Sequence, residues 1–491
     1  MAPVDGTGPG PAYDATVASA TTTAEPANAS WCLRTAGSST RTGQLLPAAS
    51  RPNVHYRPAV TQWSNWAGNQ TGEPRAIETP RDVEEVSSLV KRAATSGQRV
   101  KAVGAGHSFT PTAVTDGTLL RMDRLAGLRE IDTATGLVTV HGGTPLHQLN
   151  ALLAGNGLAM SNLGDIDRQT ITGAISTGTH GTGELLGGIA TQVRGLELVI
   201  GDGSIVTCSA TERPELFAAA RVGLGALGII TAVTLQCEPG FALIADERSM
   251  HVDEVMARYD EFAHDNQHFE FYWFPHTERA FVKRNNRPRD DQVIPRLGRV
   301  REWVEDELLS NYAFELLCRL TRARPSLIPR ANRIAADQRP RTFTAPSYEV
   351  FISPRRVRFV EMEYAVPREN AQAAFQAIRD AIERERLQVS FPVEARVVAA
   401  DDIPLSTASG RESSYFAIHM YRGVEFERYF RAVEGAMREL GGRPHWGKMH
   451  YRTADDLRPV YPRFDEFLAQ RDAVDPDRVF TNDYLSRVLG A

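Results

Sequence analysis

Two glycine-rich loops, each beside an apolar segment and each carrying a histidine, constrain this 491-residue chain more than any other feature. The first is Val100-Lys101-Ala102-Val103-Gly104-Ala105-Gly106-His107-Ser108-Phe109. The second is Ile171-Thr172-Gly173-Ala174-Ile175-Ser176-Thr177-Gly178-Thr179-His180-Gly181-Thr182-Gly183. Gly104 and Gly106 let the backbone turn with positive φ and approach a ligand, so that consecutive N–H groups converge on a phosphate. A nucleotide cofactor is held in this way. Gly-x-Gly after a strand invites a Rossmann reading, but that fingerprint needs a third glycine and an immediate helix, and Ser108-Phe109-Thr110-Pro111 follows instead. Either loop alone is equally well explained as an ordinary tight turn; the pair is harder to dismiss.

The chain is too long for one hydrophobic core, so two domains with appendages are expected. An apolar content of 42% and a charged content of 23% are those of an ordinary soluble globular protein. The net charge of −5 and the pI near 6.2 give no electrostatic footprint for nucleic acid. Cys32, Cys208, Cys237 and Cys318 are scattered without a Cys-x-x-Cys, so neither a zinc site nor a disulfide framework is suggested, and no other metal-ligand spacing is found. The longest apolar run, around Val222 to Leu235, is interrupted by three glycines and is too short to span a bilayer. A cytoplasmic, reducing location is the default, with peripheral membrane association through an acceptor as a variant. Residues 1–50, rich in Ala, Thr, Ser, Gly and Pro, read as a disordered tail without a signal-peptide core.

Along the chain, Val83, Val86, Leu89 and Val90 share one helical face and lead into a strand at Val100–Val103. Short strands follow near Leu119–Met122 and Leu137–Val140, and Thr144-Pro145 reads as a capping hydroxyl with proline at the first helical position. Gly201-Asp202-Gly203 between two apolar runs signals a hairpin. Beyond residue 240 come strands such as Phe269–Phe274 and Phe359–Tyr364, a helix near 369–384 and a strand over Val389–Val398. An Arg- and Pro-rich connection between Arg284 and Arg341 carries a helical patch at Trp303–Leu320. Mixed short strands and helices imply an α+β architecture. Trp63, Trp66 and Gly68 open the folded part, the tryptophans read as core residues.

The order of the two loops resembles the FAD-binding, PCMH-type domain of the vanillyl-alcohol-oxidase (VAO) flavoproteins, and within it the aldonolactone oxidoreductases, the sugar-lactone oxidases and dehydrogenases. The resemblance covers about residues 60–240 and 440–491, and more weakly the segment between. It implies a FAD-binding domain at 51–240 with two small sheets and helices, an α+β cap domain at 241–440, and a segment at 441–491 that returns to the flavin. It implies FAD bound by Gly104, Ala105, Gly106, His107 and Ser108 of the first loop, and by Gly173, Ser176, Thr177, Gly178, His180 and Gly181 of the second. Gly228, Ile229 and Ile230 would close the adenine side, while Ser161, Gly164 and Asp165, with Asp167, would approach the ring. In this family a histidine at the position of His107 is often bonded to the 8α carbon of FAD, and a small residue near the ring decides oxygen access, for which Gly142-Gly143 lies in about the right place.

Three further residues carry the implied chemistry. Glu394 and Arg396 occupy one face of a strand. By spacing alone they form a surface ion pair, but the resemblance puts them against the flavin, with the arginine stabilising negative charge and the glutamate orienting or deprotonating a hydroxyl. Lys448, in His445-Trp446-Gly447-Lys448, would stabilise charge at the N1/C2=O end of the ring. The implied reaction is oxidation of the C2 hydroxyl of a sugar 1,4-lactone by hydride transfer to flavin N5, with O2 or another acceptor taking the electrons. The rivals are a polyol (alditol) oxidase on the same scaffold and an inactive flavin-binding protein.

Overall fold

The computed structural model describes residues 62–289 and 292–490. The expected tail over residues 1–50 lies outside them, and so does Cys32. The three remaining cysteines are buried free thiols.

The first half of the described chain contains two main sheets. Strands β1 (Ala76–Glu78), β2 (Val100–Val103) and β3 (Thr118–Arg121) form a parallel three-stranded sheet in the order β1-β3-β2. Helix α1 (Val83–Thr95) joins β1 to β2. It starts where Asp82 accepts from Glu85 N at 2.8 Å, and it buries Val86 and Val90. The other strands are β4 (Leu128–Asp132), β5 (Leu137–His141), β6 (Val193–Val199), β7 (Ile205–Ser209) and β8 (Ile229–Gln236). They form an antiparallel sheet in the order β7-β6-β8-β5-β4. Its core takes in α2 (Leu146–Gly155) and α3 (Ile171–Ser176), together with Trp446 from far downstream. At α2 the expected cap is displaced. Pro145 is itself the extended residue before the helix, and the Thr144 hydroxyl donates to His141 O at 2.6 Å instead of capping.

The second half is built on one eight-stranded sheet. Its strands are β9 (Ala242–His251), β10 (His268–Trp273), β11 (Arg279–Asn286), β12 (Arg341–Pro346), β13 (Phe359–Pro367), β14 (Val393–Val398), β15 (Ser413–Tyr421) and β16 (Arg443–Pro444). Their order is β12-β9-β11-β10-β14-β15-β13-β16. Between β11 and β12 a continuous helix, α4 (299–323), is wound as a π-helix over Trp303–Ala313. Helices α5 (Ala371–Arg384) and α6 (Glu427–Glu439) cover one face, where Phe375, Ile378, Phe430 and Met437 bury against Phe271, Met362 and Phe416. Strand alternation then turns Glu270, Glu361, Glu363, Glu394 and Arg396 to the other face. That face is not open to water: all five are 7% exposed or less. β14 begins at Val393, four residues later than the sequence suggests.

Candidate active site

The first loop leaves β2 and comes so close to the second that only glycine fits. A Cβ on Gly104 would lie 2.1 Å from Thr170 Oγ1, the same oxygen that caps α3 by accepting from Gly173 N. Gly106 has φ +69°, the left-handed region that glycine enters without strain. Between the loops runs a cleft lined by Gly104, Ala105, Gly106, Gly173, Ser176 and Gly228, with Ile229 and Ile230 at one side. A second chamber, lined by Gly164, Asp165, His180, Glu394, Arg396 and Lys448, lies beyond it. His107, Ser108 and Thr177 belong to both, so the loop histidine stands where cleft and chamber meet.

Most of the residues singled out in the sequence therefore converge. Ser161, Gly178 and Gly181 line neither cavity, and neither does Asp167. Ser161 N donates to Gln192 Oε1 at 3.1 Å, and Gly181 is shut in by Asn162 and the Leu163 carbonyl. Gly142 and Gly143 also lie off the chamber. Added Cβ atoms there would strike the carbonyls of Ile230 (2.4 Å) and Met122 (2.0 Å), so close backbone packing explains both glycines. Trp66 is half-buried and packs, as expected, against the core of the large sheet, edge-on to Phe109 and Phe359. Its ring stacks on His107 at 5.3 Å between centroids and lines the chamber, while Trp63 lines the cleft.

His107 is buried enough that desolvation, helped by Arg168, pulls its pKa down to about 4, so the ring is neutral at physiological pH. Neither ring nitrogen hydrogen-bonds to another described side chain or backbone group. Lys101 on β2 belongs to the first-loop stretch but had no role assigned to it there, yet it lines the cleft. Its ammonium donates to Gly225 O (3.0 Å) and Phe480 O (3.1 Å), and burial with Arg471 nearby lowers its pKa to about 7.

The chamber floor is the charged face of the large sheet, and its register is regular. Directly opposed residues form a row of alternating charge across five strands: Arg341 on β12, Glu247 on β9, Lys283 on β11, Glu270 on β10 and Arg396 on β14. Arg341 Nε lies 2.5 Å from Glu247, Lys283 Nζ 3.4 Å from Glu270, and Arg396 Nε 2.8 Å from Glu270 Oε2. Arg396 also forms an ion pair with Glu394, two residues back on the same strand. The Tyr272 hydroxyl sits 3.2 Å from Glu270 Oε1 and 3.3 Å from Glu394 Oε1. Asp165 completes the cluster through an ion pair with Arg355 and a 3.6 Å approach to Arg396. Its burial would raise its carboxyl, but Arg355 and Arg396 outweigh that and hold it well below the usual range. Glu394 behaves oppositely. Burial lifts its pKa, Arg396 opposes, and the like charges of Asp165 and Glu270 push it further up.

Lys448 is not a bare ammonium. It lies 2.6 Å from Glu361 Oε1 and 3.0 Å from Glu363 Oε2, both on β13. Burial would lower its pKa, but the two carboxylates raise it above the ordinary value. Glu361 also faces His419 Nε2 at 3.2 Å, and Glu363 faces His180 Nε2 at 3.2 Å. Burial of Glu361 is outweighed by Lys448 and His419, which hold it at about 2. Glu361, Glu363 and His419 were missed in the sequence. Two carboxylates at i and i+2 in the otherwise apolar Phe359–Val366 run were the available signal.

A profile described as D-arabinono-1,4-lactone oxidase matches residues 233–488, and one described as FAD binding domain matches residues 74–209. The chain is 45% identical over 429 residues to L-gulono-1,4-lactone dehydrogenase of Mycobacterium tuberculosis, covering 87% of this chain and 99% of that one. It is 33% identical to L-gulonolactone oxidase of Scyliorhinus torazame, with 87% and 98% covered. It is 31% identical to alditol oxidase of a Streptomyces species, with 87% and 99% covered. Among solved structures, cholesterol oxidase from B. sterolicum superimposes with a TM-score of 0.74 at 19% identity, over 91% of this chain and 100% of that one, a likeness of fold.

Proposed function

Because the chain belongs to the D-arabinono-1,4-lactone oxidase family, we propose that it oxidises the C2 hydroxyl of a sugar 1,4-lactone with FAD as acceptor. The observation that carries this reading is the meeting of a small-residue cleft with a chamber floored by Glu394, Arg396 and Lys448, His107 standing at the junction. The residues fit the cofactor. Two loops close enough to exclude a Cβ at Gly104 present backbone to the cleft, and a wall of apolar side chains at Ile229 and Ile230 suits a purine. Bound there, FAD supplies a two-electron acceptor for a hydride.

The chain's own groups do the rest. Glu394, with its pKa raised by burial, is the stronger base of the chamber carboxylates and takes the hydroxyl proton. Arg396 stays cationic, held by Glu270, and steadies negative charge on the substrate oxygen. Lys448 provides a fixed positive charge in the chamber, held by Glu361 and Glu363. His107, neutral and without a hydrogen-bond partner among the described residues, is the residue that would hold the flavin covalently at its 8α carbon. O2 or another acceptor would be the final oxidant.

The test is to precipitate the yellow holoenzyme with acid. Colour retained in the pellet, and lost from the pellet of His107→Ala, is the expected result; colour released by the parent protein removes the covalent bond. Anaerobic bleaching by gulono-, galactono- or arabinono-1,4-lactone supports the substrate class. Bleaching by xylitol or sorbitol alone would replace it with a polyol.

A further inference from the structure

Glu394, the base of the proposed reaction, is 4% exposed, so a proton it takes from substrate needs a way out. A cavity of about 700 Å³ lies beside the chamber and shares Arg355, Phe359 and His419 with it. Its wall includes Glu302, Leu309, Gln338 and Arg339, all exposed, so this outer cavity opens to water. Of the two spaces, Glu394 lines only the chamber, while Tyr272 and Lys283 line only the outer cavity. Tyr272 on β10 stands directly opposite Glu394 on β14, and Glu270, two residues earlier, stands opposite Arg396. These four side chains form a square that reaches from one space to the other.

Two contacts give the square a direction. The Tyr272 hydroxyl lies 3.2 Å from Glu270 Oε1 and 3.3 Å from Glu394 Oε1. A phenol carries one proton, so it donates to one of these carboxyl groups and can only accept from the other. Burial would raise Glu270, but Arg396 and Lys283 outweigh that and keep it charged, whereas Glu394 is raised. The phenol accordingly donates to Glu270 and stands ready to accept from Glu394. Burial, with both carboxyl groups alongside, keeps the phenol itself neutral. Arg396 and Tyr272 both engage Glu394 Oε1, which leaves Oε2 for the substrate.

We propose that Tyr272 is a proton relay, carrying the proton that Glu394 takes from the alcohol out of the chamber to the outer cavity. The proposal rests on the reading of Glu394 as the base. The proton arrives on Oε2, and a half-turn of the carboxyl about Cγ–Cδ brings it to Tyr272. The phenol oxygen bonds it while its own O–H bond breaks towards Glu270 Oε1. Glu270, 3.4 Å from Lys283 Nζ, gives it up to solvent at the wall that Tyr272 and Lys283 form. Glu394, Tyr272 and Glu270 end as they began. One proton reaches solution for each alcohol oxidised, the carbon-bound hydrogen and two electrons having gone to FAD as hydride.

Anaerobic stopped-flow on the holoenzyme tests it, with flavin absorbance and a pH indicator followed together in weak buffer. In the parent protein the proton appears in step with bleaching. In Tyr272→Phe, which keeps the ring and removes the hydroxyl, it lags bleaching about 10-fold or more. Phe281→Leu alters the residue opposite Tyr272 on β11 and leaves the two signals in step. Infrared spectra of the substrate-free holoprotein need no turnover: the carbonyl stretch of protonated Glu394, identified by its loss in Glu394→Gln, shifts in Tyr272→Phe. A lag in the parent, signals in step in Tyr272→Phe, an equal lag in Phe281→Leu, or an unmoved Glu394 stretch overturns the relay and leaves the proposed function standing. A parent bleached by neither lactones nor polyols overturns the function, and the relay with it.

Discussion

Lys448 shows what one residue does in this chamber. It holds two carboxylates together and supplies the fixed positive charge proposed for the reaction, so its removal has two effects. Lys448→Met should slow flavin reduction by roughly 100- to 1,000-fold, the cost of losing one charge-stabilising donor. It should also destabilise the fold by about 3–5 kcal/mol, because Glu361 and Glu363 are left buried without their cation. The double variant Lys448→Met/Glu361→Gln separates the two, regaining most of the unfolding midpoint while reduction stays slow. Lys448 was legible in the sequence from its His-Trp-Gly-Lys context, but its partners were not. Glu361 and Glu363 alternate with Val360, Met362 and Tyr364, and such alternation ordinarily marks a strand with one wet face. A buried polar chamber and bulk water impose the same period, so the pattern alone cannot tell them apart.

Among elements, the five-strand row of alternating charge is the feature least visible beforehand. Each member sits in a strand of its own, and nothing in the chain order says that β12, β9, β11, β10 and β14 are neighbours. Cross-strand opposition alone turns five isolated charges into a row. Glu270→Gln tests its influence on the chamber. It leaves Arg396 and Lys283 short of one negative partner, and the fold should weaken by about 1–3 kcal/mol. Glu270 is also one of the like charges raising the Glu394 pKa. Its neutralisation lowers that pKa, so the acid limb of the kcat–pH profile should move to lower pH, and in Glu394→Gln that limb should vanish. A shift towards higher pH in Glu270→Gln would contradict Glu394 as the base. The first loop, by contrast, was legible as a glycine loop, and Gly106 does turn with positive φ as expected; Gly104 does not, and its glycine is required instead by the close approach of Thr170, which no local pattern announces.

At the scale of the whole molecule, several histidines are buried neutral. Burial lowers His107 and His268 to about 4 and His445 to about 3. The unfolded chain protonates each near its ordinary 6.5, and the native protein does so only below the lowered value. Between these limits the unfolded state binds more protons, so stability must fall as pH falls, by about 1.4 kcal/mol per pH unit for each such group. Glu361, held at about 2, adds the same sign below pH 4.5. Urea midpoints should therefore drop steadily from pH 7 to 4, and a flat profile would contradict the buried neutral rings. The tie between the first loop and residues 443–482 has a different consequence. Phe109 N donates to Gly447 O at 2.7 Å, Val100 N to Val479 O at 2.8 Å, and the Asn482 amide holds three carbonyls between Pro111 and Val114. These contacts close loops of some 340 to 380 residues, roughly three quarters of the 491-residue chain. A ribosome translates the loop early, yet its anchors emerge only with the final tenth of the message. The first loop is thus secured last although its sequence is written first, and a nascent chain stalled at residue 440 would have every residue that lines the cleft without the segment that ties the loop in place.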